Sequence, residues 1–243
     1  MIPLRVQSDS TRDPVVTRAL LLVLLGVFAA QLFLPRFGEA LIVTFGFMPA
    51  RLLNPGLYGY SLLASIFTIF TSQLLHGGFV HLGGNLVYLW VFGSGVERMI
   101  GARAFLILYI AGGVAGSLLH AVVFPTSTLP SIGASGCIAA LLGAYLALAP
   151  MRPIVTLIPL IVSWIIVEIP GIVLMPVWFA MQFLNGWFSL QAAKGTEEIG
   201  GIAWWAHVGG FGFGLILGAV LRKKIRDHAP VELSQKSEGR RQK

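Results

Sequence analysis

Six runs of apolar residues, at 15–34, 79–96, 104–124, 134–149, 170–187 and 202–221, dominate this chain, and Arg18 in the first is the one Asp, Glu, Lys or Arg inside any of them. Runs of roughly 20 apolar residues match the hydrocarbon thickness of a bilayer. Inside lipid every backbone N–H and C=O must be bonded within the protein, which restricts spanning segments to helices or closed barrels. Apolarity here is continuous rather than alternating, so helices are expected. The predicted fold class is all-α, a polytopic membrane bundle of six transmembrane helices. Composition agrees, with 56% apolar and only 11% charged residues, against about 25% charged in a soluble domain.

Charge sets the expected direction of the spans. With a cytoplasmic N-terminus and six spans, all of the 17 lysines and arginines except Arg36, Arg51 and Lys194 fall on the cytoplasmic side, the asymmetry of the positive-inside rule. A seventh apolar run, 154–167, contains Pro159 and is shorter than the others. Counting it as a span would carry the basic C-terminal residues to the far side, so it is read as an interfacial or connecting segment. Trp187, Trp204 and Trp205 then fall at the outer interface, where indoles concentrate.

The domain reading follows: 1–14 a cytoplasmic tail, 15–221 the membrane domain, and 222–243 a basic, disordered cytoplasmic tail. The first run is longer than a signal-peptide core, and no small-x-small site follows before Pro35, which favours an uncleaved span. Residues 36–78 read as a long outer loop, apolar enough to lie partly in the interface. A bacterial cytoplasmic membrane is expected, because no transit peptide precedes the first run. The single cysteine, Cys137, excludes an internal disulfide and a metal–thiolate cluster. Basic residues gather at the ends of apolar runs rather than as a groove-reading patch, so no nucleic-acid partner is expected.

Within this apolar frame a few polar groups share one depth. Ser135 opens the fourth run in "IGASGCIAALLG". The second run opens "HGGFVHLGGNLVYLW", which puts His81 and Asn85 one helical turn apart on one face. The sixth opens "WWAHVGGFGFG", with His207 near its top. All three runs descend from the outer side, so these groups converge on the outer third of the membrane, where a polar side chain is costly unless satisfied or useful.

Small residues indicate which helices touch. Ala206, Gly210 and Gly214 recur every four residues on the sixth run, and Gly136, Ala140 and Gly143 line the fourth; such stripes let backbones approach closely. A fourth-to-sixth contact would bring His207 near Ser135. Serine becomes a nucleophile when a neighbouring base takes its proton. His81, Asn85 and the backbone N–H of Ser135 can donate to an oxyanion, and Gly133 permits the tight turn into the helix. No acidic residue lies at this depth in the three runs, and Glu197 and Glu198 belong to a loop. A Ser–His dyad rather than a triad is the expectation.

Ser135 alone reads more simply as a packing residue, and His81 and Asn85 as interhelical hydrogen-bonders. The convergence of all four favours chemistry. His76 lacks a zincin-like His-Glu-x-x-His partner pattern and reads as a structural loop histidine. His120 reads as a polar contact near the outer end of the third run, and Glu97 as a tie for the turn between the second and third. The basic tail is a topology signal first and a contact for anionic lipids second.

Taken in order, "FGFMPARL", "HLGGN", "FGSGVERMIG", "GASG" and "AHVGGFGFG" resemble the motifs of the rhomboid intramembrane serine proteases. The resemblance implies Ser135 as nucleophile, His207 as base, and His81, Asn85 and the Ser135 amide as oxyanion donors. It also implies a short fourth helix beginning at a water-filled pocket, membrane-protein substrates with transmembrane helices, and no metal or organic cofactor. Two departures stand out. Ala139 occupies the position one turn after the serine where some members carry an aromatic against which the histidine packs, leaving the group that orients His207 unassigned. The first outer loop also lacks the Trp-Arg pair of one branch. A non-catalytic relative that binds client helices is the alternative. A transporter fits less well, since it predicts inverted repeats and polar groups near mid-span.

Overall fold

The computed structural model describes residues 1–7, 10–33, 35–160, 163–193 and 202–227, and of 35–37 only the backbone. The chain opens with strand β1 (Ile2–Val6) and helix α1 (Val15–Phe33). The segment read as an outer loop is instead largely helical: α2 (Pro35–Phe45), α3 (Pro49–Leu53) and α4 (Leu62–Thr71). Ser61 starts α4 by accepting a hydrogen bond from the Ala64 N–H at 3.1 Å, the usual serine N-cap. Next come α5 (Phe79–Tyr88), a π-helical turn at Leu89–Gly93, and α6 (Ser94–Ile100), which together form one continuous helix. Helices α7 (Ala102–Val123) and α8 (Ser135–Leu148), strands β2 (Pro153–Pro159) and β3 (Trp164–Pro170), and helices α9 (Gly171–Ala192) and α10 (Trp204–Asp227) complete the order.

Among the described residues, five helices are long and apolar enough to cross a membrane: α1, Phe79–Ile100, α7, α9 and α10. The fourth expected span departs from the rest. With 14 residues, α8 is about 21 Å long at 1.5 Å per residue, short of a hydrocarbon core of about 30 Å. It is also the most enclosed helix: every residue from Gly136 to Tyr145 is buried, whereas α1 buries four of 19. Protein rather than lipid is its solvent. That permits a short helix, because its uncovered ends meet side chains and a cavity.

Helices α7, α8 and α10 form the centre of the bundle. A methyl on Gly143 or Gly214 would overlap the backbone carbonyl of Phe211 or Ala140 respectively, and one on Gly116 would overlap that of Ala206. The stripes read on the fourth and sixth runs therefore face each other, and α7 adds a third with Gly112, Gly113 and Gly116. Close packing of this kind replaces the hydrophobic effect as the cohesive force between helices in lipid.

The helical bundle expected from the sequence also carries a small three-stranded antiparallel sheet, in the order β1-β2-β3, which was not anticipated. Ile2 pairs with Leu157 and Val6 with Ile154, while the β2–β3 ladder runs from Pro153 opposite Pro170 to Pro159 opposite Trp164. The run 154–167 is thus a hairpin, consistent with a connecting segment rather than a span. Its "IVTLIP" and "WIIVEIP" are rich in β-branched residues, which favour strands, and prolines sit at the ladder ends, where a missing N–H does least harm. The N-terminal segment read as a tail holds the β1 edge of this sheet. Helix α10 continues through Asp227; Lys194, Glu197, Glu198 and residues 228–243, His228 among them, lie outside the described residues.

At the sheet end of the bundle, Glu97 is 2% exposed and does a different job from the expected tie of its own turn. Its carboxylate accepts from the Val16 N–H at 2.9 Å, the Thr17 N–H at 2.8 Å and the Thr17 hydroxyl at 2.7 Å. A negative charge on the orphan N–H groups at the start of α1 is favourable for both hydrogen bonding and the helix dipole.

Candidate active site

At the opposite end, the first turns of α5, α8 and α10 meet. Gly133 precedes α8 with φ of +115°, a conformation that only glycine adopts without strain. Its N–H donates to the Ser72 carbonyl at 2.9 Å. Gln73, next in the chain, accepts from the Cys137 thiol at 3.0 Å and donates to the Ile69 carbonyl at 2.9 Å. The end of α4 therefore pins both the turn and the first turn of α8, and so sets where Ser135 sits. The first N–H groups of α8 have no intrahelical partners, and its N-cap residue Ala134 supplies no side-chain acceptor for them.

Ser135 Oγ lies 2.7 Å from His207 Nε2. Serine and histidine are 72 residues apart in sequence, and the α8–α10 glycine contact brings them together. His207 Nδ1 lies 2.8 Å from Gln182 Oε1 on α9. An amide oxygen only accepts, so Nδ1 carries the proton and Nε2 presents its lone pair to the Ser135 hydroxyl. The imidazole also lies near two indoles, with ring centroids 6.1 Å from Trp178 and 6.0 Å from Trp204. These groups answer what lies around His207 when Ala139 offers no ring. Sequence reasoning missed Gln182. Its only signal was an amide within an apolar span, where unpaired polar groups are expensive.

His81 and Asn85 flank the same turn. A Cβ placed on Gly133 would lie 2.6 Å from His81 Nε2 and 3.6 Å from Asn85 Nδ2. The Gly77 N–H donates to His81 Nδ1 at 3.4 Å, which leaves the proton of a neutral ring on Nε2, facing the turn. Asn85 is 7% exposed, and its Nδ2 has no hydrogen-bond partner among the described residues. A buried donor without a partner is unusual. His81, Asn85, Gly133, Ser135, Trp178 and His207 all line one cavity of about 860 Å³.

Gly136 and Ala206 lie behind this constellation, against each other, and Gly210 sits below on the Gly136 carbonyl. His76 stands apart from the Ser135–His207 contact. Its N–H donates to Gln31 Oε1 and its carbonyl accepts from Gln31 Nε2, both at 3.1 Å. Burial, and secondarily the neighbouring His81, push its imidazole down to about 4. Among the described residues, no three His, Cys, Asp or Glu side chains are arranged to hold a metal ion.

The Rhomboid domain family model matches residues 63–224, two thirds of the chain. The chain belongs to the rhomboid family. Relatives of this rhomboid include Rhomboid protease GluP of Bacillus subtilis (strain 168), 44% identical over 81 residues that make up 33% of this chain and 15% of that one. Rhomboid protein 1, mitochondrial, of Saccharomyces cerevisiae is 30% identical over 167 residues, 67% of this chain and 44% of that one. The putative rhomboid protease YdcA of Bacillus subtilis is 37% identical over 84 residues, 35% of this chain and 42% of that one. The alignments span less than half the length of each of these relatives. Family and apolar helices together make this rhomboid an integral membrane protein.

Proposed function

We propose that this rhomboid is an intramembrane serine endopeptidase that hydrolyses peptide bonds in or beside the transmembrane helices of other proteins, through a dyad of Ser135 and His207. The observation that carries the reading is the 2.7 Å contact between Ser135 Oγ and His207 Nε2 on the wall of a large cavity. His207 takes the hydroxyl proton as Ser135 Oγ attacks the scissile carbonyl. The tetrahedral oxyanion is met by donors from His81 Nε2, Asn85 Nδ2 and the Ser135 N–H. Asn85 Nδ2, buried without a hydrogen-bond partner among the described residues, supports that role. His207 then protonates the leaving amine, and a water, activated by the same imidazole, attacks the acyl-enzyme and frees Ser135.

A substrate helix hides its carbonyls in hydrogen bonds, so helix-weakening Gly or Pro near the scissile bond favours cleavage. The charge asymmetry supports cytoplasmic termini and an active site toward the outer face. The membrane domain of 15–221 acts as one unit in this reading, needing no cofactor.

Labelling of the purified protein with a fluorophosphonate serine probe tests this. Wild type is expected to label, and Ser135→Ala and His207→Ala are expected not to. Folded wild type that stays unlabelled in both detergent and liposomes would transfer the reading to a client-binding rhomboid without catalysis.

A further inference from the structure

The two aromatic neighbours of His207 hold the plane of its ring but are indifferent to which nitrogen carries the proton. Gln182 is not. It is 8% exposed, stands on α9 rather than on either helix of the serine–histidine pair, and brings an amide oxygen within 2.8 Å of Nδ1. A neutral imidazole has two tautomers, and only the one with hydrogen on Nδ1 leaves Nε2 able to accept from Ser135. When the ring takes the serine proton it becomes a cation, and the bond from Nδ1–H to the amide oxygen strengthens with the charge on its donor.

We propose that Gln182 is the positioning residue of this site: it sets the tautomer and rotamer of His207 and stabilises the imidazolium that forms as Ser135 attacks. The inference rests on the reading of Ser135 and His207 as nucleophile and base. Gln182 thereby takes the orienting place that an acidic residue fills in a triad, with a neutral acceptor suited to a site in which a buried carboxylate would be costly. It also makes the base depend on α9, so that the site is complete only when three helices are in register.

The experiment is saturation kinetics of fluorophosphonate labelling on the full chain, with Gln182→Met and Gln182→Glu. Methionine keeps the volume and removes the acceptor; glutamate keeps an acceptor. Loss of a hydrogen bond to a developing cation is expected to lower the maximal labelling rate of Gln182→Met by at least about tenfold, with the half-saturating probe concentration unchanged. In Gln182→Glu the cost of burying a carboxylate falls on folding stability, so labelling normalised to the folded fraction is expected to recover most of that rate. Nitrogen-15 spectra of the His207 ring supply a readout that packing alone would not move: hydrogen on Nδ1 in wild type, and loss of that single tautomer in Gln182→Met. Wild-type speed in Gln182→Met, equal losses in both variants, or hydrogen on Nε2 in wild type would each overturn the proposal. A wild type that never labels overturns the nucleophile assignment itself, and is distinguishable because no variant comparison is then needed.

Discussion

Gly210 on α10 packs so closely on Gly136 of α8 that a methyl group at Gly210 would overlap the Gly136 carbonyl oxygen. His207 lies one turn before Gly210 and Ser135 one residue before Gly136, so this backbone contact governs the spacing of the polar pair. Gly210→Ala is expected to force α8 and α10 apart, costing about 1–3 kcal/mol as overpacking and abolishing probe labelling. Gly212 has nothing within 4 Å of an added Cβ. Gly212→Ala is therefore the control, with labelling retained and stability unchanged or slightly raised in thermal unfolding.

Gly133→Ala probes the other wall of the site. The added methyl meets His81 Nε2 at 2.6 Å, on a backbone held at φ of +115°. Under the proposed chemistry it fills the space of the oxyanion and displaces a donor, with an expected loss of about a hundredfold in labelling rate. Asn85→Ala removes a donor without adding bulk and is expected to slow labelling while leaving the melting temperature near wild type. A Gly133→Ala protein that labels at the wild-type rate would show that the anion forms elsewhere.

At the far end of the bundle, Glu97→Ala strips three hydrogen bonds from the start of α1. Leaving those buried donors unpaired is expected to cost about 1–3 kcal/mol, with Glu97→Gln intermediate because it retains one acceptor oxygen. Denaturant unfolding in detergent measures both. Labelling of the folded fraction should be unaffected, since the active-site helices meet at the other end.

Arg51→Met tests the helical outer segment. Arg51 is 3% exposed, donates to the Val43 carbonyl at 2.7 Å and the Thr44 carbonyl at 3.2 Å, and its guanidinium lies 4.0 Å from the Tyr60 ring centroid. It satisfies carbonyls at the end of α2 that have no helical partner. The substitution is expected to cost about 2–3 kcal/mol and to raise protease sensitivity between α2 and α4, read by limited proteolysis.

Much of the frame was legible because lipid makes it so. The run 104–124 became Ala102–Val123, and 15–34 became Val15–Phe33, since a charge or proline at each end marks where hydrocarbon stops. The α8–α10 contact was legible too, in two stripes of small residues with the helical period. Arg51 was counted only as a charge on one side, because nothing local reveals that its guanidinium folds back onto carbonyls seven and eight residues earlier.

The sheet could not be read in the same way. "IVTLIP" is apolar at nearly every position, so periodicity does not separate strand from helix. Its partner β1 lies some 150 residues earlier in the chain, and a strand exists only with a partner in register. Gln182 was hidden for a related reason. A lone amide in an apolar span announces that it must be bonded, but not to what.

By itself the sequence determined that the chain is a membrane-embedded helical protein, and it marked Ser135, His207, His81 and Asn85 as polar groups at one depth. Hydrophobic run length and helical period are local properties, written residue by residue. Tertiary structure alone decided that α8 is sheltered from lipid, that β1 closes a sheet with a distant hairpin, and that Gln182 rather than an aromatic side chain meets Nδ1 of His207. Each of those depends on what stands opposite, across helices whose relative rotation no local pattern encodes.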